Sequence, residues 1–438
     1  MTEGESVRTQ RGGLWRDSDF LRFWSAETLS LLGAQISLVA IPLLAVTKLS
    51  ATPVQMGVLN AAQFLPFLLL TLIAGVWVDQ RRRRPLLIGA NFGRALLYGL
   101  IPLFAAMQLL NIGVLSTLVF LAGMLTVVFD LAYQSYLPSL VGNEHLIEGN
   151  SKVEGSRSFA QLSGPGAAGV MVGAIGAATA VLINAVTYLV SAVTMLFIRR
   201  PEPVPQPDSG PRASLWVQIG RGLRLTVSNK YLRPLGIEAA CYNLFNQMLW
   251  AVLILYLSRA LHFSPLTIGL ILTMEGVGAL LGSLVAARLS RQYGLGRTVV
   301  WSIVVANLAP LLIPAAVNGS AFSAALIGVA LMINGAGIVI YGIQAISVRQ
   351  AAVTSDVLGR TNAGYRFAVT GTAAIGALLG GVVGGLVGLR PTMVIGALGT
   401  LGAMWVVFLS PIPGLRVLSD VGPTSGLVAA VPDQTPAG

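Results

Sequence analysis

Five ionisable residues, Glu27, Arg94, Asp130, Glu238 and Glu275, interrupt otherwise apolar stretches of this chain. In hydrocarbon each costs about 2.5–3.5 kcal/mol on insertion scales, so each needs a partner, water or a function. Glu275 stands deepest. A predicted helix over 265–288 puts it near mid-span, roughly 15 Å from either surface at about 1.5 Å per residue, too far for a carboxylate to reach bulk water. A carboxyl there can exchange a proton as a cavity opens to one side and then to the other, which makes Glu275 the proton-coupling candidate, and it would attract a cationic cargo. The alternative is a helix-packing hydrogen bond from a protonated Glu. For Glu27, Glu238 and Arg94, nearer the ends of their spans, snorkelling or local pairing is the simpler expectation.

Uncharged polar residues extend the picture. Glu238, Tyr242 and Asn246 recur at i, i+4 and i+8 with Gln247 beside them, a face polar enough to line water. Gln35 and Gln247 fall at matching depths on the first and seventh predicted spans, Gln63 at the depth of Glu275, and Asn334 and Gln344 on the tenth. These are the cavity candidates. The competing reading for any one of them is an amide satisfied inside a packed core.

The elements that must position these groups follow from composition. The 438 residues are 55% hydrophobic and 10% charged, with mean hydropathy +0.77, which reads as an all-α polytopic membrane protein. The net charge of +11 does not point to nucleic acid, because the Lys and Arg sit between apolar runs rather than on one soluble face. The single cysteine, Cys241, excludes an internal disulfide framework. Charges throughout the first twenty residues argue against a cleaved signal peptide, so the first span is expected to be retained.

Apolar runs of about twenty residues predict twelve helices, near 22–47, 54–78, 85–108, 113–137, 156–175, 178–198, 232–258, 265–288, 298–317, 321–346, 364–388 and 391–411. The chain then divides into an N-tail (1–21), a six-helix bundle (22–198), a linker (199–231), a second bundle (232–411) and a tail (412–438) expected to be disordered. The linker opens Pro-rich, and Trp216, Ile219, Leu223 and Val227 at helical spacing predict a surface-lying helix.

Shifting the chain by 212 residues places Gln35 on Gln247, Pro53 on Pro265, Gly57 on Gly269 and Pro102 on Pro314. It also places Gly164, Gly169, Gly173 and Gly176 on Gly376, Gly381, Gly385 and Gly388. Pro, Gly and Gln in one register argue for duplication. An even number of spans per copy gives parallel repeats related by an axis along the membrane normal. Twenty-four Lys and Arg lie on the side of the N-terminus and three on the other, which predicts cytoplasmic termini. Gly164, Pro165, Gly169, Gly376 and Gly381 read as close-packing surfaces where helices approach and slide.

These residues resemble the major facilitator superfamily over nearly all of 20–411. The turn Gly75-Val-Trp-Val-Asp79-Gln-Arg-Arg-Arg83-Arg84 is similar to the family's loop between helices 2 and 3, with Arg82 where Gly is usual. Ser163-Gly164-Pro165-Gly166-Ala167-Ala168-Gly169 resembles a degenerate Gly-Pro motif of proton-coupled exporters. Arg349-Gln350 through Arg366 is similar to the bacterial branch containing the enterobactin and macrolide exporters. The resemblance implies a cytoplasmic gate of Gly75, Asp79, Arg83, Arg84 and Asp130: with the cytoplasmic side closed, Arg83 pairs with Asp130 and Asp79 sits near the start of helix 11, and these contacts break in the other state. It also implies a monomeric protein of the bacterial cytoplasmic membrane.

No Gly-x-x-x-x-Gly-Lys-[Ser/Thr] phosphate loop is present to use ATP, and His145 and His262 lack metal-ligand company. Neither a cofactor nor a metal is expected. The partners are a small molecule, protons and the bilayer. The expectation is a secondary transporter, a proton-coupled exporter of a small, partly hydrophobic drug, siderophore or secondary metabolite, with an importer of the same fold as alternative. A receptor would need a folded sensor domain, and an enzyme a catalytic constellation, that the sequence does not offer.

Overall fold

The computed structural model describes residues 13–202, 220, 224–353 and 355–421. Side-chain caps start most of the long helices. In α1 (Ser18–Thr47) the Asp17 carboxylate accepts from the amides of Asp19 and Phe20 at 3.0 and 3.1 Å. A Thr52–Gln55 capping box with Pro53 opens α2 (Pro53–Asp79). α3 spans Arg83–Ala106, α4 Ile112–Ile175 and α5 Ala177–Leu196. The second half holds α6 (Leu232–Leu255), α7 (Pro265–Tyr293), α8 (Leu295–Leu308), α9 (Ala321–Ala352), α10 (Ser355–Val387) and α11 (Leu389–Phe408). Ser264 caps α7 as Thr52 caps α2, one repeat earlier, and Pro265 again follows.

Among the described residues eleven helical segments are long and apolar enough to cross a membrane. α4 supplies a twelfth crossing. The sequence predicts a loop between spans at 113–137 and 156–175; the helix instead runs on and folds back only at Gly142, whose φ of +73° suits a residue without a Cβ. Its second arm, 143–175, lies in the same layer, with Ala168 and Val172 buried in the core shared by both halves. Gly176 and Gly388, repeat mates, both turn the chain at positive φ.

Two expectations change, at the C-terminal tail and at the start of the linker. The tail was expected to be disordered from 412, yet 412–421 folds onto the start of α8: the amides of Leu295 and Gly296 donate to the carbonyls of Arg416 and Leu415 at 3.0 and 2.8 Å. Ile412 is fully buried. There the amides of Val417 and Arg416 donate to Asp420 and hold its carboxyl below the usual range. The linker's first residues are pinned to the first half, where Asp19 accepts from the amides of Arg199 and Arg200 at 3.1 and 2.9 Å. Most of the surface-helix segment, including Trp216, Ile219 and Leu223, lies outside the described residues.

Glu202 caps α3. Its two carboxylate oxygens accept from the amides of Arg83 and Arg84 at 2.5 and 3.0 Å, where free N–H groups favour negative charge. Glu202→Ala is expected to destabilise the first half by about 1 kcal/mol. Thermal unfolding in detergent measures it, and an unchanged midpoint would remove the capping role.

Candidate functional site

Buried apolar residues form three clusters whose distribution locates the site. One runs through both halves at the end away from the termini, joining Ile36–Leu59 and Ala168–Val181 to Leu249–Leu272 and Ile313–Leu331. At the end carrying the termini each half has its own cluster, around Phe20, Phe23 and Tyr136 in the first and Leu235, Val299 and Tyr341 in the second. The halves are thus sealed together at one end, with no shared apolar cluster at the other among the described residues.

Glycines make the seal. A Cβ added at Gly57 of α2 would lie 2.7 Å from the Ala377 carbonyl and 2.8 Å from Gly381 Cα of α10; one added at Gly169 of α4 would lie 2.6 Å from the Pro265 carbonyl and 2.9 Å from Gly269 Cα of α7. Under the 212-residue shift these are the same contact made twice. Gly164 packs on Gln35, and Gly376 against the backbone of Leu244.

Directly below the seal lies a cavity of about 420 Å³ between the halves. Gln35, Gln63, Asn246, Gln247, Pro165 and Glu275 all line it. Glu275 is the one ionisable residue among the lining side chains, and it has no hydrogen-bond or ion-pair partner among the described residues. Polar or aromatic lining residues outside the expected set are Asn60, Phe64, Gln161 and Trp250. Asn60 was findable: it precedes Gln63 by one turn and so shares its face.

The other cavity candidates sit elsewhere. Glu238, only 1% exposed, accepts a hydrogen bond from the Tyr341 hydroxyl inside the second half, with Tyr242 near it. Asn334 donates to the Ala306 carbonyl at 2.8 Å and Gln344 to the Ala286 carbonyl at 3.3 Å, so both are satisfied core amides. Burial also replaces the snorkelling expected of Glu27 and Arg94, which are 4% and 3% exposed. Arg94 donates to Asn91 and lies between the rings of Phe129 and Tyr188, 4.2 and 4.4 Å from their centroids. Its charge reaches both Glu27 and Asp130, so a bundle that looks apolar in sequence carries a buried polar cluster.

The pairing of Arg83 with Asp130, expected only when the side carrying the termini is closed, is not formed in this structure, which is sealed at the opposite end. Arg83 lies 3.8 Å from Glu202, not against Asp130. Arg84 donates to the carbonyls of Leu196 and Met195 at 2.8 and 3.4 Å and so caps the end of α5. Gly75 has open space around it. The side chain of Asp79 lies outside the described residues. Arg82, where Gly is usual, starts α3 with an ordinary φ of −62°, while its repeat mate Gly294 turns at +86°. The two copies therefore turn differently.

Comparison with known proteins agrees with this architecture. Residues 14–424 match the model of the family described as transmembrane secretion effector. The chain is 23% identical over 378 residues to the uncharacterized MFS-type transporter YfiS of Bacillus subtilis (strain 168), covering 83% of this chain and 86% of that one. It is 26% identical over 284 residues to the multidrug efflux pump Tap of Mycolicibacterium fortuitum, covering 63% and 68%. The crystal structure of the nucleoside transporter NupG superposes with a TM-score of 0.68 at 14% identity, over 89% of this chain and 97% of that one. The chain is a transporter, not an enzyme, and belongs to the transmembrane secretion effector family of the major facilitator superfamily.

Proposed function

We propose that this protein exports a small, partly hydrophobic, cation-leaning molecule across the bacterial cytoplasmic membrane in exchange for protons, as a monomer with both termini in the cytoplasm. The observation that carries this reading is the cavity, in which Glu275 is the sole ionisable lining residue among amides and the rings of Phe64 and Trp250. Amides orient a cargo and aromatic faces hold its apolar body. Glu275 then binds either a cationic cargo or a proton, and that competition couples the two fluxes. The likeness to a named multidrug efflux pump supports export. A monovalent cation exchanged for one proton moves no net charge, so the pH difference drives it, at about 1.4 kcal/mol or roughly tenfold accumulation per pH unit.

Inside-out vesicles test direction and coupling together. An acid lumen is expected to drive uptake of a fluorescent lipophilic cation, and a collapsed gradient to stop it. Uptake driven only by acid outside would make the protein an importer.

A further inference from the structure

A second hollow, of about 480 Å³, lies on the outside of the second half, away from the cavity. α7 and α8 both pack along α9. A Cβ at Gly282 of α7 would lie 2.9 Å from Ala336 Cα, and one at Gly337 of α9 2.8 Å from the Ser302 carbonyl of α8. Fixed to a common neighbour at these points, α7 and α8 touch each other little and leave a groove floored by Ala336 and Gly337. Its walls include Tyr293, Trp301 and Val305. Tyr293 and Trp301 are 53% and 67% exposed, in a position suited to an interfacial aromatic belt.

Tyr293, on the wall of the groove, adjoins the turn at Gly294, and Arg288, Arg291 and Arg297 stand within six residues of that turn without lining the groove itself. All three are exposed and have no hydrogen-bond or ion-pair partner among the described residues. No Asp or Glu occurs between Glu275 and Asp356 in the sequence. Asp420, on the tail that folds over the start of α8, is engaged by the amides of Arg416 and Val417. The corresponding turn of the first half behaves otherwise, since Arg83 and Arg84 there have Glu202 and the end of α5 as partners. Topogenic charge alone requires no groove beside it. Here an apolar crevice adjoins a turn near which three unpaired arginines stand.

We propose that this groove holds an acyl chain of an anionic phospholipid from the leaflet on the termini side, its phosphate lying against Arg288, Arg291 and Arg297. The apolar walls take the chain and the arginines select the headgroup. Each basic side chain near an anionic headgroup is worth roughly fivefold in affinity. The inference is independent of the direction of transport and of the cargo.

Reconstitution in phosphatidylcholine vesicles, with a minor share of lipid brominated in its acyl chains, tests it. The Trp301 signal is taken as the difference between the unaltered protein and Trp301→Phe. Brominated phosphatidylglycerol should quench that signal at a mole fraction at least tenfold below brominated phosphatidylcholine. The combined Arg288→Gln, Arg291→Gln and Arg297→Gln protein should lose the preference while still transporting, and Val305→Phe, which fills the groove, should weaken quenching by both lipids. Equal quenching by the two lipids in the unaltered protein would overturn the proposal. So would a phosphatidylglycerol preference that survives the triple replacement, which would mark it as bulk surface charge.

Discussion

Glu275→Gln is expected to abolish proton-driven transport while leaving expression and fold intact. The substitution keeps the shape and removes the exchangeable proton, and among the described residues no partner of Glu275 is orphaned by it. Cargo then binds a neutral cavity, and the proton gradient has no group through which to bias the opening of either end. Transport driven by an imposed pH gradient should fall to the protein-free baseline, whereas facilitated exchange of cargo between the two sides should persist. Gradient-driven accumulation by the Gln protein at the wild-type rate would show that coupling lies elsewhere. The cluster of buried Glu27 and Arg94 with half-buried Asp130 would then be the next place to look.

The second large effect is expected at the glycine seal. Replacing Gly57 by Leu sets a Cβ within 2.8 Å of both the Ala377 carbonyl and Gly381 Cα, and these are backbone atoms that cannot rotate away. α2 and α10 must separate, and the shared apolar core above the cavity opens with them. Because Gly169 and Gly269 make the same contact on the other side of the axis, Gly169→Leu should behave alike. Both proteins should lose at least tenfold in transport. In a Cys241→Ser background, Gln35→Cys should react faster with an impermeant maleimide added from the side away from the termini. Normal transport together with unchanged labelling would mean that these glycines do not form the seal. The effect differs from that of Glu275→Gln: here the alternation itself is biased, there only its coupling to protons.

How much of this was legible beforehand varies residue by residue. Gln35, Gln63, Asn246, Gln247 and Glu275 line the cavity between the halves. Glu238 shares a helical face with Asn246 in the sequence but turns into the second half, to Tyr341. Periodicity shows which residues share a face; it does not show whether that face meets water or another helix. Asn334 and Gln344 illustrate the same ambiguity, since an amide bonded to a neighbouring helix's carbonyl has the same sequence signature as one lining a cavity. Between 138 and 155 the two helical arms run on to meet at Gly142, although charges end the apolar runs at 137 and 156, because charge ends only the membrane layer and leaves backbone geometry free. Likewise Glu202, in a Pro-rich stretch read as a spacer, acts through a contact 118 residues distant in sequence.

By itself the sequence determined the class, the approximate positions of the crossing segments and the internal duplication. Each of these depends on local apolar length or on residues in register, and the bilayer enforces both by leaving unpaired backbone no alternative to helix. Tertiary structure alone decided which polar groups share the cavity, which are spent inside the halves, and which end is sealed. Those outcomes depend on how two six-helix units lean on each other through a few backbone contacts at Gly57 and Gly169. Those contacts join helices far apart in the chain, so no local pattern of residues specifies them.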